Sequence, residues 1–209
     1  RRTIRMTSGP RRRLTVRGAR SELESYRPWL DVAPLGGSSP AGIAHYALAY
    51  HYLVTACPSQ SPLTVLDLGC HVGLFVDFLG TRGHAAIGVE KSTHLAELGR
   101  ARGLDVRRGD VVDLGDLVAP ASIHLAVAMR LFHAEAPPFE PVWVERFARA
   151  VRTVLRPDAA LFCEAEVPLP IDAFERAGLC VRHRIAAEKP HWKFGRVRDD
   201  AWVFVLTGG

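Results

Sequence analysis

The run Val65-Leu66-Asp67-Leu68-Gly69-Cys70-His71-Val72-Gly73-Leu74-Phe75 places an acid and two glycines where an apolar strand must turn into a helix. Such a turn lets the backbone approach a ligand closely, because glycine has no side chain to stand in the way. Glu90 closes the next apolar segment, 23 residues after Asp67. An acid there is placed to accept both hydroxyls of a ribose. Gly109-Asp110 ends the third strand-like segment, where an acid meets the adenine of a bound nucleoside. The chemistry implied is nucleoside binding at one edge of an α/β sheet.

The register of the glycines decides which nucleoside. A dinucleotide turn of the form G-x-G-x-x-G starting at Gly69 requires glycine at 71 and 74, and the sequence has His71 and Leu74. A pyrophosphate needs the close helix approach that those glycines allow. S-adenosylmethionine (SAM) carries no phosphate, and its turn faces a zwitterionic amino acid instead. Asp67-Leu68-Gly69-Cys70-His71-Val72-Gly73 resembles the D-x-G-x-G-x-G turn of class I SAM-dependent methyltransferases. Glu90 matches that family's ribose acid and Asp110 its adenine-site acid. Leu155-Arg156-Pro157-Asp158-Ala159 resembles the family's Leu-Lys-Pro-Gly-Gly turn, and Phe174-Glu175-Arg176-Ala177-Gly178-Leu179 its entry to the sixth strand. The resemblance covers about 64–206. It implies a SAM site formed by Asp67, Gly69, Cys70, His71, Gly73, Glu90, Asp110, Val111 and Met129.

The chain departs from the family in three places. His71 stands where the middle glycine is usual; histidine tolerates positive φ better than most residues. Asp158-Ala159 replaces Gly-Gly. The fourth-strand end, Met129-Arg130-Leu131-Phe132-His133, lacks the Asn-Pro-Pro-Tyr or Asp-Pro-Pro-Tyr signature of amino-methylating nucleic-acid enzymes.

The acceptor side offers fewer landmarks. His133 lies where the sheet opens and is the first candidate for a general base. Glu164, with Glu166 beside it, is the second. Arg130 is placed to pair with a substrate carboxylate. The helix over 41–56, rich in His45, Tyr46, Tyr50, His51 and Tyr52, reads either as a lid or as an amphipathic helix on the sheet. The basic-aromatic segment His191–Arg196 reads either as a hairpin connection or as an acceptor-pocket wall. The histidines show no metal-ligand spacing, so no metal is expected.

These residues need a scaffold, and the rhythm of the chain supplies one. Strands are expected at 64–68, 85–90, 105–108, 124–129, 159–164, 180–185 and 201–206. Helices are expected at 74–79, from the Ser92 cap to 101, at 140–155 and at 171–177. The fold class is α/β: a doubly wound, mostly parallel, seven-stranded Rossmann-like sheet. An N-terminal extension, residues 1–57, precedes the SAM domain at 58–209. Period-two alternation at Thr3–Met6 and Arg13–Arg17 around Ser8-Gly9-Pro10 predicts a β-hairpin, and Ser21 is expected to cap a short helix.

Bulk composition sets the outer limits. With 209 residues, 48% hydrophobic and 23% charged, the chain suits one sizeable core. No apolar run nears the roughly 20 residues of a membrane-spanning helix, and no signal-peptide pattern is visible. Four scattered cysteines without a CxxC pair fit a reducing, cytoplasmic setting. Eight arginines and no acid lie in residues 1–20, so the net charge of +5 becomes −3 over residues 21–209. The expected function is methyl transfer from SAM to a hydroxyl or amine of a small molecule such as a secondary metabolite. The rival readings are an RNA methyltransferase using the arginine arm and a catalytically silent SAM-fold partner subunit. The basic arm could also pair two copies as a homodimer.

Overall fold

The computed structural model describes residues 16–26, 40–56, 62–132, 139–165, 169–186 and 202–208. In chain order these form α1 (Val16–Glu24), α2 (Pro40–Ala56), β1 (Thr64–Leu68), α3 (Leu74–Thr81), β2 (Ala85–Glu90), α4 (Thr93–Ala101) and β3 (Val106–Arg108). After a 3-10 turn at Leu114–Asp116 come β4 (Ile123–Phe132), α5 (Pro141–Val154), β5 (Leu155–Ala165), α6 (Ile171–Arg176), β6 (Leu179–Ala186) and β7 (Trp202–Gly208). The seven strands form one sheet in the order β3-β2-β1-β4-β5-β7-β6. Pairing is parallel from β3 through β5, and β7 runs antiparallel to both β5 and β6. This is the mostly parallel, doubly wound sheet that the alternation of elements predicts.

Both faces of the central strands are covered, which explains their almost uninterrupted apolar sequences. Val65, Leu125, Val127, Met129, Ala160 and Phe162 pack on one face with α1, α2 and α3. Leu66, Leu68, Ala126, Ala128, Leu161 and Cys163 pack on the other with α5 and α6. On α5 the buried residues are Val144, Phe147, Ala148, Val151 and Val154, the i, i+3, i+4, i+7 stripe of an amphipathic helix started by Pro141.

The N-terminal extension differs from its sequence reading. Thr3–Met6 lies outside the described residues, as does most of the second hairpin strand, but Val16 and Arg17 begin α1. Helical spacing prevails because Ala19 and Leu23, four apart, are fully buried in the cluster that includes Tyr50 and Leu53 of α2. Ser21 is therefore mid-helix and does not cap it; its hydroxyl donates back to the Arg17 carbonyl at 3.1 Å. The tyrosines of α2 settle on the sheet face: Tyr46 stacks on Phe75 with centroids 4.5 Å apart, and Tyr52 lies 5.5 Å from Phe162. Tyr50 packs edge-on against Phe78 and donates to Glu22 at 3.1 Å, tying α1 to α2.

Two further corrections concern β4 and β5. The Leu155–Ala159 segment, expected as a turn, lies within β5 and forms a bulge: Leu155 pairs with Ile123, and pairing resumes at Ala160 with Leu125. β4 runs on past Met129 to Phe132. Between Ala128↔Cys163 and Phe132↔Ala165 it carries two more residues than its partner, so Met129–Leu131 bulge near the C-terminal end of β4.

Candidate functional site

The site begins where β1 stops. Gly69 and Gly73 hold φ of +78° and +76°, left-handed values that favour glycine, and His71 between them holds +55°. The end of β2 enforces this shape. The Val89 carbonyl accepts the N–H groups of Gly69 (2.9 Å) and Cys70 (3.1 Å), and Glu90 Oε2 accepts that of His71 (2.9 Å). Glu90 Oε1 takes the Ser92 N–H at 2.8 Å, and Ser92 in turn caps α4 through the Leu95 N–H. Three successive turn N–H groups are thus used within the chain.

Close packing from behind holds the turn forward. The Cys70 side chain is buried, and a Cβ on Gly88 would overlap its Sγ and lie 2.9 Å from its Cβ. Burial, with Asp67 and Glu90 adding negative charge, pushes the Cys70 thiol well above its ordinary range, so it packs and does not react. At the far end, Arg102 donates to the Val72 carbonyl (3.4 Å) and pairs with Asp77 (2.9 Å). Gly88→Ala is accordingly expected to destabilise the fold by about 1–3 kcal/mol through overpacking. Urea unfolding measures it; an unchanged midpoint would contradict the packing account.

Asp67 is the unusual group. It is 1% exposed, its Oδ1 is buried with no hydrogen-bond partner among the described residues, and Tyr46 Oη reaches Oδ2 only at 3.5 Å. Burial pushes its carboxyl up to about 8, the Tyr46 hydroxyl works against this, and the nearby Glu90 charge adds to it. A buried carboxyl with an unmet oxygen beside an open turn is suited to receive a cationic group. The sequence did not reveal Tyr46 as its neighbour, although the aromatic character of α2 was the available signal.

Asp110 closes the other end. Its Oδ1 accepts the Val112 N–H at 3.3 Å and its Oδ2 pairs with Lys91 Nζ at 2.9 Å. Burial opposes ionisation there, but Lys91 and the Val112 N–H prevail and hold the carboxyl below its usual range. Lys91 escaped the sequence reading because nothing in its spacing marks it. Val111 is buried in the core of the α5 face, and Met129 is 5% exposed on the α2 face.

Alternation along the strands sorts the acceptor side. Asp67 is level with Val127, and Val127 with Phe162, so Glu164 sits two residues further along β5 toward its C-terminal end. Ala160 and Phe162 face α2, so Glu164 shares the face of Asp67 and Met129; it is 1% exposed. Leu131, whose Cδ1 lies 3.7 Å from where a Gly69 Cβ would be, overlooks the turn and was not foreseen. His133, Glu166 and His191–Arg196 lie outside the described residues, and so does the side chain of Arg130. Among the described residues no group of three or more His, Cys, Asp or Glu is placed to hold a metal ion.

No family model and no curated protein matches this sequence. Solved structures do match. A TehB-like SAM-dependent methyltransferase from Corynebacterium glutamicum superposes with a TM-score of 0.60 at 16% identity, over 90% of this chain and 99% of that one. A chain of the complex between the Haloferax volcanii Trm112 methyltransferase activator and its putative methyltransferase gives 0.59 at 18% identity, over 91% and 97%. A SAM-dependent methyltransferase from Leishmania major gives 0.57 at 16% identity, over 93% and 88%. The chain has the Rossmann-like fold of the class I SAM-dependent methyltransferases.

Proposed function

We propose that this chain binds SAM across the C-terminal ends of β1 and β2 and transfers its methyl group to a hydroxyl or amine of a small molecule. The observation that carries the reading is the pair of acids flanking a left-handed turn. Asp67 has a buried, unmet oxygen, and Glu90 fixes the turn by accepting the His71 and Ser92 N–H groups. Asp67 would hold the ammonium of the amino-acid end, Glu90 the ribose hydroxyls, and Asp110 with Val111 the adenine. When bound, SAM supplies a methyl group on a positively charged sulfur, already activated for displacement.

The protein's own part is mainly alignment and exclusion of water, worth roughly 7–11 kcal/mol when acceptor and methyl are held in line. Glu164, buried at the ligand end of β5, and His133 are the proposed groups to take a proton from the acceptor. Half-buried Leu131, Phe139 and Trp143 gather around the end of β4, where Phe139 and Trp143 lie 4.9 and 6.1 Å from Phe132. A net charge of −3 over residues 21–209 favours a small molecule over RNA. The thiols of Cys70, Cys163 and Cys180 are free, which supports a cytoplasmic setting. No helix among the described residues is long and apolar enough to cross a membrane.

The test is a screen of small hydroxyl and amine acceptors with methyl-labelled SAM. Label entering a small product that is lost in Glu164→Gln supports the reading. Label entering RNA alone, with binding that falls steeply as salt rises, would overturn the acceptor class.

A further inference from the structure

His71 breaks the glycine pattern of the turn at its middle position. It keeps a left-handed φ of +55° despite carrying a side chain, a strain that persists only where the surroundings impose it. Its N–H is held by Glu90 at 2.9 Å, its ring is half-buried, and ring atom Nδ1 is buried without a hydrogen-bond partner among the described residues. Two acids bracket it: Asp67 at the end of β1 and Glu90 at the end of β2. In SAM the sulfur joins the amino-acid part to the ribose part. A ligand with its ammonium at Asp67 and its ribose at Glu90 therefore carries its sulfur along the span where His71 stands.

We propose that His71 is a specificity-determining residue that distinguishes the sulfonium of SAM from the neutral thioether of S-adenosylhomocysteine. A neutral imidazole tolerates the sulfonium, whereas a protonated one repels it and leaves the thioether product favoured. The proposal rests on the SAM reading above. Burial lowers the proton affinity of the ring and the Glu90 charge partly offsets this, so the ring is neutral at neutral pH and gains its proton on acidification. Among the described residues the charged and titratable groups near it are these. Glu90 acts on it directly, Asp67 stands at the end of β1, the Cys70 thiol stays neutral, Lys91 and Asp110 pair with each other, and Arg102 pairs with Asp77 behind the turn.

The two ligands share their ammonium, carboxylate, ribose and adenine and differ at the sulfur. The ratio of their dissociation constants therefore cancels the titration of Asp67 and the contacts of Glu90 and isolates the sulfur's surroundings. The experiment is calorimetric titration of SAM and S-adenosylhomocysteine into the full chain, from pH 7.5 to pH 5. It is repeated with His71→Gly, which suits the left-handed turn, and His71→Asn, which tolerates it without titrating. In the wild type, Kd(SAM)/Kd(S-adenosylhomocysteine) is expected to rise about tenfold as pH falls and the ring takes its proton, the scale of repulsion between two unit charges in a partly solvated site. In both variants the ratio stays flat. A flat wild-type ratio, or the same slope in the variants, overturns the proposal and leaves the SAM reading standing. Failure of either ligand to bind any of the three proteins overturns both.

Discussion

Asp67→Asn is expected to make the ligand-free protein more stable at pH 7.5 and yet weaken SAM binding by about 10- to 100-fold. The opposite signs have one cause. Burial raises the Asp67 carboxyl in the folded protein to about 8, whereas the unfolded chain has it near 3.9. Between these values the folded state holds a proton that the unfolded state does not. The contribution of Asp67 to stability is therefore complete below pH about 4 and is lost as pH rises to about 8, at roughly 1 kcal/mol per pH unit. Asparagine fills the same space and never ionises, so urea unfolding at pH 5.5 and 7.5 should show a smaller pH slope in the variant. With SAM bound, the ligand's ammonium would offset the charge, and the amide cannot replace that pairing. Binding near pH 7 should accordingly release about one proton, measurable by calorimetry in two buffers of different ionisation enthalpy. A variant less stable at pH 7.5, with the wild-type pH slope, would contradict this account of the buried carboxyl.

Glu90→Ala should damage both the turn and the ligand site. The carboxylate accepts the His71 and Ser92 N–H groups at 2.9 and 2.8 Å, and charge-assisted bonds of this kind contribute about 1.5–3 kcal/mol each. Water recovers part of that at a half-exposed site, leaving an expected stability loss of about 2–4 kcal/mol. The proposed ribose contacts would go with the same side chain, so SAM affinity should fall by about 100-fold or more. Glu90→Gln retains one acceptor oxygen and should fall between wild type and alanine in both measurements. Equal SAM affinity in wild type and Glu90→Ala would remove Glu90 from the site.

The turn of the candidate site was readable from sequence because it is local. Asp67 through Gly73 is one continuous turn, and Glu90 lies one strand away in a βαβ unit whose geometry is nearly fixed. The central strands were readable for a related reason, since strands buried on both faces are written as short apolar runs. What escaped depends on contacts between distant segments. Lys91 on Asp110, Tyr46 beside Asp67 and Leu131 over Gly69 are juxtapositions that no spacing encodes. Register slips hid the β4 and β5 bulges, because period-two alternation does not reveal where a partner strand skips. At α1 the local alternation misled: Val16 and Arg17 read as strand alone, and the burial of Ala19 and Leu23 against α2 makes them helix. His71 was visible as an anomaly, but its bond to Glu90 and its buried Nδ1 belong to the fold.

The central claim is that the turn between β1 and α3, closed by Glu90, is a SAM site. Isothermal titration of SAM into the full chain at pH 7.5 tests it most directly, with NAD as the competing ligand. The expected result is one SAM per chain, no measurable NAD binding, and loss of the SAM signal in Glu90→Ala. A folded protein that binds NAD in preference, or that gives no heat with SAM at millimolar concentration, would contradict it.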